Sequence, residues 1–479
     1  MENLIIGRTE ESAILQRLLT SNQAELLAVY GRRRVGKTFL IRNYYAKSLQ
    51  FYCSGQLGAT QRQQLNNFRE QLEAYFPQLQ PFQTAESWQE AFSQLRQCLE
   101  KSKGKAKKVL FFDELPWLDS HKSGFLSAFS YFWNIYASQR NDLLLVICGS
   151  AASWIIKKVI NNKGGLHNRI TQRIRLLPFN LQETEAYLLS RHIKLTQYQL
   201  LQLYMAIGGI PHYLNAVERG KSVPQIIEQI CFSKDGALAN EFNNLYSALF
   251  ASAEKHIEII QALAGKNMGL TRTELLTESR QMTGGGLTTI LEELTESGFV
   301  TKNQPYNKKK KDALYRLSDE YSFFYLRYMH GKTVREQGQW LAQSNTTQYR
   351  SWCGYAFENV CFKHIHQIKK ALGIAGIYTE QSSWTTSGNE FYEGAQIDLL
   401  IVRSDQSINI CEIKFSEHPF KIDKKYAEAL QKKILAFKQS TNSKSNTILT
   451  FVSTYGLANN SYNEQLVDAE VRMESLFSS

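Results

Sequence analysis

The sequence has no run of about 20 apolar residues, the length a membrane-spanning helix requires. Its longest apolar stretch, Leu143 to Ile156, covers 14 residues and is interrupted by Gly149, Ser150 and Ser153. The start, Met1-Glu2-Asn3, is acidic and lacks the apolar core of a secretory signal. Paired cysteines are missing too. The seven present (Cys53, Cys98, Cys148, Cys231, Cys353, Cys361, Cys411) are scattered, odd in number and never spaced Cys-x-x-Cys, which fits neither a disulfide framework nor a zinc site. No internal repeat is found. Together these absences predict a soluble cytoplasmic protein. What is present is globular in balance, with 43% apolar and 21% charged residues. A length of 479 residues suggests about three domains at ~150 residues each. The one bias is charge: 56 Lys plus Arg against 44 Asp plus Glu, a net +12, points to a polyanion such as nucleic acid or to an anionic membrane surface.

Between residues 24 and 177, apolar runs (Leu26–Tyr30, Phe51–Cys53, Val109–Phe112, Leu143–Cys148) alternate with helical patterns. Such alternation predicts a parallel sheet flanked by helices. From about 180 to 245 the pattern is helical, broken at Gly208-Gly209-Ile210-Pro211. Residues 250 to 328 read as a helix with Ile257, Ile260 and Leu263, a second at Arg272–Glu278, and a Gly284-Gly285-Gly286 turn. A third helix follows, with Leu287, Ile290, Leu291 and Leu294 spaced i, i+3, i+4, i+7. Gly298 ends it as a C-terminal cap glycine should. Phe299-Val300 and Ala313–Leu317 then read as a hairpin, which completes the order of a winged helix-turn-helix. A polar linker is expected from about 331 to 349, and a final αββ-type unit from 351.

Residues 31–38, GRRRVGKT, match G-x-x-x-x-G-K-[ST] in full, between an apolar strand and a helical run containing Phe39, Leu40 and Ile41. Gly31 and Gly36 permit the turn that aims backbone N–H groups at phosphate oxygens. Lys37 supplies a cation for the β- and γ-phosphates, Thr38 a hydroxyl for Mg²⁺, and the helix N-terminus a favourable partial charge. Arg32, Arg33, Arg34 and Val35 complete the loop, most of whose non-glycine side chains point outward. The partner acid should end a second apolar strand, and Val109–Phe112 runs into Asp113-Glu114. Asp113 would hold Mg²⁺ through water, and Glu114 would polarise the attacking water. Ser150, ending the next strand, is a candidate γ-phosphate sensor or a helix N-cap for Ala151–Val159, roles that are compatible. Arg169 or Arg173 could present an arginine to the γ-phosphate from this or a neighbouring subunit, or could simply be surface residues.

The motifs GRRRVGKT, FFDELPWLD, CGSAASWIIKKVI, GGLHNRI and GGIPHYL together resemble the archaeal and bacterial P-loop ATPases related to the STAND and origin-recognition ATPases. IIGRTEE, Ile5 to Glu11, resembles the box that packs around adenine in those relatives. GGIPHYL resembles the family's marker for a helical lid. The resemblance implies an ATP- and Mg²⁺-dependent ATPase.

Near the C-terminus, IDLLIV (397–402) opens with Asp398, and INICEIKF (408–415) carries Glu412 and Lys414. Residues two apart on a strand share a face, so Glu412 and Lys414 point together. Asp398 followed 14 residues later by Glu-x-Lys resembles the PD-(D/E)XK nucleases, in which two carboxylates bind Mg²⁺ and the lysine stabilises charge. Glu358 resembles the acid on the preceding helix of such folds, and Gln431 a glutamine found in several relatives. Gln396 departs from the pattern, standing where relatives often have an acid. A charge-bearing edge hairpin would carry the same spacing.

Lys308–Lys311, at the expected wing tip, would contact a nucleic-acid backbone and make binding salt-dependent. Glu292, Glu293 and Glu296 on the third helix oppose entry into the major groove. His364 and His366 are expected at the surface, and Tyr321, Phe323, Phe324, Tyr325 and Tyr328 in packing between domains. The expected architecture is α/β: a P-loop ATPase core over 1–178, a helical lid over 179–249, a winged helix-turn-helix over 250–328, a linker over 329–350, and a restriction-endonuclease-like domain over 351–479. The expected function is an ATPase coupled to a DNA-binding or nuclease domain, possible as a homo-oligomer. The alternative is a regulatory ATP switch whose C-terminal domain binds nucleic acid or protein without cutting.

Overall fold

The computed structural model describes residues 4–478 except 103, 105, 151, 161–163, 167, 251, 280–282, 332–337 and 391. Met1-Glu2-Asn3, Ala151, His167 and part of the expected linker therefore lie outside the described residues. No helix among the described residues is long and apolar enough to cross a membrane. The chain divides into two compact units, Met1–Leu177 and Pro178–Ser479.

The first unit is built on a five-stranded parallel sheet of β1 (Glu25–Tyr30), β2 (Leu49–Ser54), β3 (Lys108–Asp113), β4 (Leu143–Gly149) and β5 (Gln172–Arg175), in the order β2-β3-β4-β1-β5. β3 and β4 are buried along their whole length, which is why they read as unbroken apolar runs rather than as alternating ones. The helices Gln61–Tyr75, Trp88–Lys101 and Phe125–Ile135 pack on the sheet through a ring-rich core that includes Phe51, Phe68, Trp88, Phe92, Phe112 and Phe129. Thr60 and Gln63 form a capping box that starts the first of these helices. β5 was not expected. Its sequence, QRIR, buries only Ile174, so it carries little apolar signal.

The second unit opens with helices Leu181–Ser190, Gln197–Ile207, Pro211–Leu214, Val223–Ile227 and Glu241–Leu249. The GGIPHYL motif is a packing joint in this region. Gly209 lies against the Phe179 backbone, whose N–H donates to the Gly209 carbonyl at 2.7 Å. The Tyr204 hydroxyl donates to the Phe179 carbonyl, and the Tyr213 hydroxyl to buried Glu241. His364, expected at the surface, is buried: its Nε2 accepts from the Leu181 N–H at 3.0 Å, and burial lowers its pKa to about 4. His366 is exposed.

Next come helix Ala253–Ala264, β6 (Leu270–Thr271), helices Arg272–Glu278 and Gly284–Glu296, then β7 (Val300–Asn303) and β8 (Leu314–Leu317), with strand order β6-β8-β7. The glycine triplet is not a turn before the third helix but its first turn, with the Thr283 hydroxyl accepting from the Gly286 N–H. The loop between β7 and β8 is fastened at its base: the Tyr306 N–H donates to the Ser383 carbonyl, and the Ser382 hydroxyl to the Gln304 carbonyl. Lys308–Lys311 remain exposed at its tip.

The aromatic helix Glu320–Tyr328, expected to pack between domains, packs inside the second unit: Phe324 meets Phe232 and Trp352, and Tyr325 stacks on Phe242. The expected linker needs correction, because Gln339–Gln343 is helical. Trp340 is fully buried and stacked on Phe232, and the two Glu228 carboxylate oxygens accept from the Gly338 and Trp340 N–H groups. One buried indole outweighs the polar composition around it.

After helices Thr347–Lys363 and Ile365–Ala371 comes a mixed sheet of β9 (Thr379–Gly388), β10 (Glu393–Arg403), β11 (Ser407–Lys414), β12 (Asn446–Ser453) and β13 (Ala469–Arg472). β9, β10 and β11 pair antiparallel, whereas β11, β12 and β13 run parallel. Helix Lys424–Thr441 makes the crossover that two neighbouring parallel strands need.

Candidate functional site

β1 delivers the chain to Gly31, where φ is +146° and a Cβ would stand 2.3 Å from the Leu176 carbonyl oxygen. Only glycine allows that approach. Arg34 and Gly36 also have positive φ, and helix Lys37–Tyr44 starts directly after Gly36. The loop thus presents backbone N–H groups and a helix N-terminus together, the cradle an anion requires. Lys37 is buried, and its Nζ donates to the carbonyls of Gly31 (3.0 Å) and Arg32 (2.8 Å). An ammonium has three donors, so two brace the loop and one remains for phosphate. Arg8, within the IIGRTEE box, adds a brace that sequence reading missed: its buried guanidinium donates to the Val35 carbonyl at 3.1 Å.

The Thr38 hydroxyl donates to Asp113 Oδ2 at 2.7 Å, although 75 positions separate the two residues. A hydroxyl touching a carboxylate at the head of a phosphate loop suits Mg²⁺, a hard cation that prefers oxygen ligands. The residues at this site fit the ion. β4 lies between β1 and β3, so the end of β4 meets the end of β3. As a result, the Ser150 N–H and hydroxyl both donate to Glu114 Oε2, at 3.1 and 2.9 Å. Ser150 therefore holds Glu114, a contact not expected of it, while the helix start it was expected to cap, Ala151, lies outside the described residues.

Arg169 needs a larger correction. The Thr171 N–H donates to the Leu26 carbonyl, and Gln172 pairs with Leu27. The exposed Arg169 thus enters at the sheet edge opposite the loop, about 16 Å away at ~3.3 Å per residue. That exceeds the reach of an arginine side chain within one chain. Arg175, paired with Tyr30, is the arginine that β5 carries to the loop edge.

In the second unit, β10 pairs with β11 from Val402–Ile408 to Leu399–Cys411, one residue short of Asp398 and Glu412, and Tyr426 lies close to both acids. Glu412 is already engaged: Oε1 accepts from the Tyr426 hydroxyl (2.6 Å) and Lys414 (3.0 Å), and Oε2 from Lys433 (2.7 Å). Burial alone would raise its pKa, but the two ammonium groups and the hydrogen bonds outweigh burial and hold it down to about 2. Gln431 is exposed, and Tyr426 and Lys433 of the same helix reach the acid instead. Glu358 accepts from Arg316 at 3.0 Å. The expected convergence of Glu358, Asp398 and Glu412 on one metal ion is therefore not met. No group of three or more His, Cys, Asp or Glu side chains among the described residues is placed to hold a metal. The donor set here does not fit a divalent cation, because cationic side chains occupy the oxygens such an ion would use.

Burial, followed by repulsion from Asp398, pushes Glu358 up to about 7 against the pull of Arg316. A carboxyl raised in the folded state stabilises fully below its unfolded value, and that contribution is lost as pH rises through the folded value. Glu358→Gln keeps the shape without titrating. It should remove up to about 3 kcal/mol of pH-dependent stability change between about pH 4.5 and 7, measured by urea unfolding at a series of pH values. An unaltered pH profile would mean that Glu358 stays ionised beside Arg316 throughout.

A parallel sheet with a phosphate loop after β1 and an acid pair after β3 defines a P-loop ATPase domain. Residues 6–217 belong to the ATPase domain family found predominantly in Archaea. Over 423 residues the chain is 24% identical to an uncharacterized protein of Methanocaldococcus jannaschii, covering 86% of this chain and 88% of that one. It is 46% identical over 41 residues to an uncharacterized ATP-binding protein of the same organism, covering 9% of this chain and 70% of that one. In fold it is similar to a Walker-type ATPase of Pyrococcus abyssi, with a TM-score of 0.50 and 18% identity over 67% of this chain and 96% of that one.

Proposed function

We propose that this protein is a Mg²⁺-dependent ATPase whose turnover is tied to nucleic-acid binding by its C-terminal region. The observation that carries the ATPase half is the Thr38–Asp113 contact beside a braced Lys37. Thr38 and Asp113 would hold Mg²⁺, which when bound offsets phosphate charge. The loop amides and the remaining Lys37 donor bind the phosphates. Glu114, with Oε2 held by Ser150, keeps Oε1 to accept a proton from the attacking water. Arg169 could serve a nucleotide only from a second copy of the chain.

The nucleic-acid half rests on residues 253–317, whose element order is that of a winged helix with the β7–β8 hairpin as the wing. Its tip carries exposed Lys308–Lys311, whereas the third helix exposes Glu292 and pairs Glu293 with His256. Backbone contact by the lysines, not base reading by the helix, fits those charges. Replacing Lys308–Lys311 with Ala should weaken DNA binding uniformly across sequences. It should also flatten the slope of log K against log salt by about 0.9 for each phosphate that the lysines no longer neutralise. Anisotropy titrations across a salt series test this, and an unchanged slope would leave the run as a solvated tip.

The nuclease reading is weaker. Asp398 and Glu412 near the same Tyr426, with Lys414 on Glu412, favour it, and the cationic side chains on Glu412 oppose it. Magnesium- or manganese-dependent DNA cleavage that Asp398→Ala abolishes, with ATP hydrolysis intact, would restore it.

A further inference from the structure

A cavity of about 160 Å³ lies in the second unit between the β7–β8 hairpin and the C-terminal sheet. Its rim includes exposed Lys302 and Gln381, its interior Asn359, Phe362 and Arg316, and its edge Asp398. Its charges are largely matched from within the protein. Arg316 is paired with Glu358 at 3.0 Å, and Lys363, also at the cavity, is paired with Glu320 at 2.6 Å. A free phosphate, which calls for excess positive charge, is therefore a poor match, as is a metal ion. The Arg316 guanidinium lies 4.7 Å over the Phe362 ring, forming a flat wall of the kind heteroaromatic rings stack against. The exposed Gln381 amide offers a donor and an acceptor, and Asn359, whose Nδ2 already donates to the Leu317 carbonyl at 3.3 Å, adds its carbonyl oxygen as an acceptor. A flat, neutral ring with donors and acceptors on its edge satisfies all three features. A cavity of ~150 Å³ holds one benzene-sized ring, so this one suits a single ring better than two fused rings.

We propose that this cavity receives one unpaired pyrimidine base of a nucleic-acid strand whose backbone passes Lys308–Lys311, an inference that rests on the nucleic-acid reading above. A base stacked and paired in a duplex is not free to enter a cavity, so the preferred ligand is single-stranded or locally opened. The base would lie beside Asp398, which brings the strand to the same face of the molecule as the C-terminal acids.

The test measures binding of the full chain to oligo(dT), oligo(dA) and a duplex of equal length. Oligo(dT) should bind about tenfold tighter than oligo(dA) or the duplex, the scale of one base–side-chain stack. Gln381→Leu changes an exposed side chain and should erase that preference while leaving duplex affinity and salt slope unchanged. Photocrosslinking with 5-iodouracil in the strand should label the peptide containing Phe362. Equal affinities for all three, a preference that survives Gln381→Leu, or a crosslink confined to residues 304–313 would overturn the pocket and leave the nucleic-acid reading standing. No binding to any of the three would overturn both.

Discussion

Replacing Glu114 with Gln is expected to leave ATP bound and to slow its hydrolysis by about 10²–10⁴-fold, the usual contribution of a general base. The phosphate cradle consists of Gly31, Gly36, Lys37 and the start of the helix after them, none of which depends on the Glu114 charge. The amide retains the size of the carboxylate and can still accept from Ser150, but it cannot take a proton from water. Lys37→Ala should differ in kind. Removing the ammonium deletes both loop braces and the phosphate donor, so nucleotide binding and turnover are lost together. Equilibrium binding of a fluorescent ATP analogue, run beside a phosphate-release assay, separates the two outcomes. A Glu114→Gln protein that hydrolyses ATP at the parental rate would remove the residue from the mechanism. Ser150→Ala should fall between the parental protein and Glu114→Gln, because it removes one of the two bonds that hold Glu114 Oε2 and leaves the base in place.

Gly209→Ala is expected to be the most destabilising small substitution in the second unit. A Cβ at this position would stand 1.9 Å from the Phe179 carbonyl oxygen and 2.7 Å from its carbon. Neither atom belongs to a flexible side chain. The clash can be relieved only by separating two backbone segments that share the 2.7 Å hydrogen bond from Phe179 to Gly209 and the buried bond from Tyr204. A loss of about 3 kcal/mol or more follows. Gly220→Ala is the fitting control: φ is +82° and nothing lies within 4 Å of the added atom, so only the left-handed strain of about 1–2 kcal/mol applies. Urea unfolding of both variants decides the matter, and equal losses would mean that Gly209 is not a point of close approach.

The parts of the site that were legible beforehand are those in which chemistry and chain order coincide. The phosphate loop is one contiguous segment, in which the glycines set the backbone geometry and the Lys37 and Thr38 side chains follow within a few residues. Asp113-Glu114 was legible because the apolar run Val109–Phe112 leads straight into it. The 397–414 hairpin was legible because its short polar turn leaves antiparallel pairing as the simple solution. β5 was missed because an edge strand with one buried residue has almost no hydrophobic pattern. Trp340 and His364 were misjudged because a single buried ring or imidazole is decided by distant neighbours (Phe232 in one case, Leu181 in the other).

Composition, motif and periodicity alone therefore establish a nucleotide-binding α/β domain, a helical region with a hairpin-bearing unit after it, and a C-terminal sheet carrying Asp398, Glu412 and Lys414. Sheet order and helix placement then assign partners to those residues. The insertion of β4 between β1 and β3 gives Ser150 to Glu114. The register of β5 takes Arg169 away from the loop and brings Arg175 to it. The crossover helix sets Tyr426 and Lys433 on Glu412, and β8 sets Arg316 on Glu358. Such pairings join residues tens to hundreds of positions apart, and their energies depend on burial and mutual distance, quantities that exist only once the chain has folded.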